Sequence, residues 1–212
     1  MPLSPGQVLN NRYRIVKLLG QGGMGAVYKA WDLNMERPRA LKENLDTSLE
    51  AQRQFKREAQ ILGDLSHPNL PKVSDYFALS PHDADAESAG LTQNRDYLVM
   101  DYVPGQDLHQ VVQQARREQR FLDQREVLGW MAQLCDALIY LHEQEPPVLH
   151  RDIKPANIKL TPQGRIKLVD FGLVKPLDPQ DPKTLTGMRG IGSLPYTPIE
   201  QYAGELGHTD TR

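Results

Sequence analysis

The sequence predicts an α+β chain of two lobes, a five-stranded lobe with one helix over residues 1–103 and a helical lobe over residues 104–212. Three observations predict it. Runs of β-formers fill the first hundred residues, a Pro104-Gly105 break follows, and helical spacing of apolar residues takes over beyond it. The chain has 212 residues with 39% apolar content, enough to bury a core without covalent staples. Cys135 is its single cysteine, so it forms no internal disulfide and no cysteine-based zinc site.

Tyr13 to Leu19 and Ala26 to Trp31 read as strands joined by a glycine-rich turn, and Arg39 to Glu43 as a third. Leu49 to Leu65 reads as a helix, because Ala51, Phe55, Ala59, Leu62 and Leu65 recur at helical spacing. Lys72 to Leu79 and Tyr97 to Tyr102 complete the five strands. The polar, aperiodic stretch 80–96 between them reads as a mobile surface insertion. Beyond the hinge, Leu108 to Ala115 carries a short helical stripe and Val127 to Leu141 a longer one. Asp123 and Glu126 suit a capping box at the start of the longer helix. A strand pair, Asn157 to Leu160 and Arg165 to Val169, flanks the turn at Pro162-Gln-Gly164.

Net charge is −2, which offers no global attraction to nucleic acid or to an acidic membrane. The six histidines are dispersed, and no basic-aromatic patch stands out. The N-terminus lacks a signal-peptide pattern, and the longest apolar-rich stretch, Trp130 to Leu141, is too short to span a bilayer.

Gly20-Gln-Gly22-Gly23-Met-Gly25 lets backbone amides approach phosphate oxygens. A Walker-type loop requires Lys and Ser or Thr where Ala26 and Val27 stand, and a dinucleotide fingerprint requires a helix where Ala26 to Trp31 reads as a strand. A strand–glycine–strand flap over ATP and an ordinary glycine-rich hairpin both remain. Lys42 lies in a strand near that turn, and Glu58 is a carboxylate within an apolar helix stripe. A buried carboxylate is costly unless paired, so a Lys42–Glu58 ion pair accounts for both residues.

His150-Arg-Asp152-Ile-Lys154-Pro-Ala-Asn157 concentrates groups able to accept a proton, contact phosphate and bind metal, although Asp152 taken alone suits a turn and Asn157 a cap. Asp170-Phe-Gly172 supplies a further carboxylate at a strand end. Mg²⁺ takes a few hard oxygen ligands together with phosphates and water, which Asn157 and Asp170 can provide.

Taken in order, these motifs resemble the eukaryotic-like, or Hanks-type, serine/threonine protein kinase family from about Tyr13 to the C-terminus, and the Leu9-Asn-Asn-Arg-Tyr13 opening resembles its bacterial members. The resemblance implies a two-lobed protein-kinase-like fold, with a mobile insertion in the N-lobe and a partial C-lobe. It implies transfer of the γ-phosphoryl group of ATP to protein Ser or Thr hydroxyls, with ATP and Mg²⁺ as cofactors. Gly20, Gly22 and Gly25 would cover the phosphates, Lys42 would grip them and Glu58 would orient Lys42. Val27 and Ala40 would pack on adenine, and Asp101 and Val103 would offer backbone groups to it beside a Met100 gatekeeper. Asp152 would accept the hydroxyl proton, Lys154 would neutralise the transferring group, and Asn157 with Asp170 would hold Mg²⁺. Lys154 in this loop favours Ser/Thr over Tyr acceptors.

In this family Arg151 can clamp a phosphorylated activation segment, with Thr184 and Thr186 as candidate acceptors and Ser193 near the substrate pocket. Self-association for autophosphorylation is the corresponding partner expectation. The sequence departs from the family pattern at Pro198-Ile-Glu200, in place of the usual triplet, and at Lys159, near the usual apolar floor beneath adenine. The family's C-lobe continues with further helices, so the 212 residues are expected to be an N-terminal portion of a longer kinase, weakly active or inactive alone. A cytoplasmic location is expected for this portion, with membrane anchoring left to a segment elsewhere in the full-length protein. The alternative is an ATP-binding pseudokinase or scaffold without turnover.

Overall fold

The computed structural model describes residues 2–22, 25–83, 92–170, 175–176 and 196, and within the strand at 175–176 only the backbone. The chain divides into two compact units, 1–66 with 71–103, and 67–70 with 104–212.

The first unit is built on a sheet of β1 (Val8–Leu9), β2 (Tyr13–Gly22), β3 (Gly25–Asp32), β4 (Arg37–Asn44), β5 (Val73–Leu79) and β6 (Arg95–Asp101), with α1 (Leu49–Asp64) following β4. The order β1-β2-β3-β4-β6-β5 is antiparallel at every pairing. The expected five strands become six, because the two-residue β1 pairs Val8 with Arg14 and Leu9 with Tyr13. So short a strand leaves no alternation to detect; the buried Leu9 and the ladder to β2 define it. The insertion expected over 80–96 is shorter than that: Ser80 opens a turn in which Asp83 donates its amide to the Ser80 carbonyl, while Arg95 and Asp96 already belong to β6.

Alternation along β3 buries Ala26, Tyr28, Ala30 and Asp32, and the core collects Leu3, Leu9, Tyr13, Ile15, Leu41, Phe77, Tyr97 and Val99 around them. Tyr13, Phe77 and Tyr97 stack in succession, with ring centroids 5.7 and 5.1 Å apart. Gly25 is required by close approach, since a Cβ there would strike the Glu43 carbonyl oxygen. Ser48 caps α1 by accepting the Ala51 amide at 3.3 Å, and the helix buries Phe55, Glu58, Ala59 and Leu62.

The second unit contains β7 (Gln106–Asp107), α2 (Leu108–Arg117), α3 (Gln124–His142), β8 (Val148–Leu149), a 3₁₀ turn (Pro155–Asn157), β9 (Ile158–Leu160), β10 (Ile166–Leu168) and β11 (Lys175–Pro176). Strands β10, β9 and β7 form one antiparallel sheet, and β11 pairs with β8. The strand pair around Gly164 is shorter than its sequence pattern, because Asn157 closes the 3₁₀ turn instead of entering β9. Asp123 caps α3 through the Arg125 and Glu126 amides, but the complete capping box lies at α2, where Asp107 and Gln110 exchange side-chain bonds with each other's amides. Gly105 has φ +103°, and a Cβ there would strike the Leu160 carbonyl oxygen, so both its conformation and the approach of β9 demand glycine.

Residues 67–70 pack with the second unit through Asn69, whose Nδ2 donates to the Gln133 side chain at 3.0 Å and to the Ile166 carbonyl at 2.8 Å. His67 stacks on Tyr140 and lies 3.2 Å from Asp136. Among the described residues, no helix is long and apolar enough to cross a membrane.

Candidate functional site

In the first unit, β3 and β4 align Val27 with Lys42 in register, and β4 and β6 align Ala40 with Met100. Gly20 and Gly22 end the long strand β2 with no atom near the place a Cβ would take, unlike Gly25. Lys42 reaches Glu58 of α1, with Nζ donating to Oε1 at 3.0 Å, and both side chains are less than a tenth exposed. Phe55 of the same helix sits with its ring centroid 5.7 Å from the ammonium. Two charges so buried are tolerable because each meets the other. The ion pair inferred from one strand lysine and one misplaced helix carboxylate is therefore formed. Asp101 ends β6, and Val103, buried, lies two residues beyond it.

In the second unit the charged groups lie within one turn. Asp152 Oδ2 accepts from Lys154 Nζ at 2.8 Å and from Asn157 Nδ2 at 2.9 Å. The same Asn157 Nδ2 also reaches the Asp152 carbonyl at 2.9 Å, and the Asn157 amide donates to the Lys154 carbonyl at 2.9 Å, closing the 3₁₀ turn. The Asp152 amide lies 3.4 Å from His150 Nδ1, and His150 is buried. Asn157 Nδ2 is committed to Asp152, which leaves Oδ1, a hard oxygen, as the atom it can offer a cation.

The Asn157 carbonyl accepts the Val169 amide at 2.8 Å, fixing the position just before Asp170. Asp170 is exposed, Arg151 is partly buried, and both are left-handed at φ +65°. Non-glycine residues held there carry backbone strain, which concentrates at functional sites. Burial lowers the Arg151 guanidinium from its ordinary value, the effect of desolvating a cation. Among the described residues, no three His, Cys, Asp or Glu side chains converge on a metal position. One amide oxygen and one carboxylate nevertheless suit a cation completed by phosphate oxygens and water.

Lys159, expected near an apolar floor, places Nζ 4.0 Å from Asp107 Oδ2 at the start of α2. Phe171 and Gly172, the candidate acceptors Thr184 and Thr186, and Ser193 and Glu200 lie outside the described residues. Sequence reasoning missed the charges of Arg12, Asp32, Arg39 and Asp75. Their partners are distant in the chain, so their spacing carries no local signal.

The protein kinase domain family matches residues 13–200. The chain is 34% identical over 206 residues to mouse serine/threonine-protein kinase tousled-like 2, covering 91% of this chain and 26% of that protein. It is 35% identical over 202 residues to serine/threonine-protein kinase PknA of Mycobacterium tuberculosis, covering 94% of this chain and 43% of that protein. The chain thus spans less than half the length of either relative. The family match begins at the first core tyrosine of β2 and takes in the glycine turn, the Lys42–Glu58 pair and the Asp152–Asn157 turn; the chain belongs to the protein kinase domain family.

Proposed function

We propose that the chain is the catalytic domain of an ATP-dependent protein serine/threonine kinase. The observation that carries this reading is the shared hydrogen bonding of Asp152, in which Lys154 and Asn157 both occupy Oδ2. That arrangement leaves Asp152 Oδ1 to accept the proton of a substrate hydroxyl as the oxygen attacks the γ-phosphorus. A new O–P bond forms, the bond to the ADP oxygen breaks, and the proton rests on Asp152 until product leaves. Lys154 offsets charge on the moving group. In the first unit, Lys42, oriented by Glu58, contacts the α- and β-phosphates beneath Gly20, Gly22 and Gly25. Val27 and Ala40 pack on the base, with the Asp101 and Val103 backbone at its edge.

Asn157 Oδ1 and the Asp170 carboxylate would hold Mg²⁺, which would supply positive charge to offset that of the phosphates. Because the transition state is loose, these groups contribute position and charge and form no covalent bond to the substrate.

The acceptor is a protein Ser or Thr, supported by Lys154 and by the names of the relatives. The two kinase lobes are assigned to residues 1–103 and 104–212. A bacterial origin, supported by the Leu9 to Tyr13 opening, a cytoplasmic location for this portion and self-association for autophosphorylation belong to the same proposal. Incubation of the longest natural form of the protein with radiolabelled ATP, Mg²⁺ and a mixed Ser/Thr/Tyr peptide set tests it. Label on Ser or Thr peptides that disappears with EDTA is expected. Mg-ATP binding with no transfer would instead establish a nucleotide-binding scaffold.

A further inference from the structure

The first unit contains a line of charged side chains, buried at Asp32 and Arg39, that the proposed roles leave unused. The Asp32 carboxylate is wholly buried at the end of β3, and Arg12 grips it with Nε and Nη2, each at 2.9 Å. The amides of Asn34 and Met35 donate to the same group at 3.1 and 3.2 Å. Burial alone would raise the Asp32 carboxyl; the Arg12 fork and the Met35 and Asn34 amides outweigh it and hold the group below its ordinary value.

Asp32 Oδ2, which already accepts from Arg12 Nη2, also lies 3.7 Å from Arg39 Nε, an ionic approach too long for a hydrogen bond, and Arg39 Nη1 donates to Asp101 Oδ1 at 2.7 Å. Arg39 and Asp101 are register partners on β4 and β6. Asp101 is tied again at Lys72, whose amide donates to Oδ2 at 3.2 Å and whose carbonyl accepts the Asp101 amide at 3.0 Å. The next residue, Tyr102, lies under Lys29, with Nζ 4.7 Å from its ring centroid.

Buried ionic groups often stabilise a sheet no better than apolar packing of the same shape. This line has a direction, however. It runs from Asp32, without exposure, through Arg39 at 4% to Asp101 at 41%, and so ends on the last residue of β6. From there the chain leaves the sheet as Tyr102 and Val103, the backbone assigned to the nucleotide base. A backbone amide and carbonyl discriminate a base edge only when held in place, and misplacement by about 1 Å weakens such contacts severely.

We propose that Arg39, oriented by Asp32, is a positioning residue that anchors the Asp101–Val103 backbone for the base of the bound nucleotide. This inference rests on the kinase reading, and its test separates the two. Arg39→Met keeps the aliphatic stem and removes the charge. Relative to the unsubstituted protein, KM for Mg-ATP is expected to rise about fivefold with kcat within about twofold, since the lost contact serves binding more than chemistry. Amide hydrogen exchange at Asp101, Tyr102 and Val103 is expected to quicken about tenfold as local opening becomes easier. Arg39→Lys, which restores one donor, should recover part of both effects.

If Arg39→Met does not fold, Asp101→Asn applies the same test from the solvent end of the line. Unchanged KM and exchange in a folded variant overturn the proposal, as does a loss of kcat with exchange at 101–103 unaltered. If the unsubstituted protein does not bind Mg-ATP, the kinase reading falls. Exchange then still decides the anchor, with acceleration confined to 101–103 supporting it and unchanged protection overturning it.

Discussion

Lys42 and Glu58 of the first unit and Asp152, Lys154 and Asn157 of the second are both charged constellations, built in opposite ways. The first joins a strand to a helix across sixteen residues, in a setting where both side chains are almost sealed from water. The second lies within five residues of chain on a single turn, with side-chain exposures of 14% for Asp152 and 20% for Lys154. The buried pair should therefore serve the fold as well as the chemistry, because either partner left alone is a desolvated charge. The turn constellation should serve chemistry mainly, because its backbone is held by the bonds from the Asn157 amide to the Lys154 carbonyl and from the Val169 amide to the Asn157 carbonyl, which a substitution of the Asp152 side chain leaves in place.

The largest expected effect on rate is at Asp152. Asp152→Asn should lower kcat by about a thousandfold, the usual worth of a positioned base, with little change in the thermal midpoint. Steady-state transfer assays paired with calorimetry check it; near-normal turnover would remove the proposed base. At the buried pair the two quantities should move together. Lys42→Met should lower transfer by less than Asp152→Asn does, and also cost about 3 kcal/mol of stability by stranding Glu58. Adding Glu58→Leu should return much of the stability and none of the activity. Urea unfolding of the single and double variants separates these contributions, and a double variant no more stable than the single would show that the pair is not a structural unit.

A smaller effect is expected at Gly25, where Ala must push against the Glu43 backbone. Gly25→Ala should cost about 1–3 kcal/mol, as overpacking usually does, while Gly22→Ala, with open space around it, should cost less. Melting temperatures of the two variants rank them directly.

The smallest effect concerns pH. Burial raises the Glu43 carboxyl above its ordinary 4.5, although the hydroxyls of Tyr28 and Tyr97 and the charge of Arg95 pull the other way. A folded-state value above the unfolded one means that folding favours the protonated acid. The stability this contributes is complete below 4.5 and is lost as pH rises through the elevated value. Glu43→Gln should therefore raise the urea midpoint slightly at pH 8 and progressively less toward pH 4. A pH-independent difference between the two proteins would contradict this account.

The contrast between the two constellations also explains what could be read in advance. Asp152, Lys154 and Asn157 announce themselves because their partners are a few residues away, and the local spacing that brings them together is visible in the chain. Glu58 was legible for a different reason: an acid within an apolar stripe is an anomaly that asks for a cation, and Lys42 was a cation in a strand of suitable order. Asp32 and Arg39 raised no such anomaly. Asp32 follows Trp31 at a strand end and Arg39 follows Pro38, positions where charges are commonplace, and only the pairing of β4 with β6 brings Arg39 to Asp101. Strand β1 escaped detection because two residues cannot display a period, and the capping box moved from Asp123 to Asp107 because side-chain reciprocity depends on the entry angle of the chain.

By itself, then, the sequence determined the α+β order of elements, the glycine turn, the charged turn at 150–157 and the membership of a kinase family. Each of these rests on interactions among near neighbours or on motifs in a set order. The tertiary structure decided the sixth strand, the sealing of Lys42 and Glu58 from water, the diversion of Lys159 to Asp107, and the ionic line from Asp32 to Asp101. Those depend on strand register and on which faces exclude solvent, quantities that arise only when segments distant in the chain are brought together.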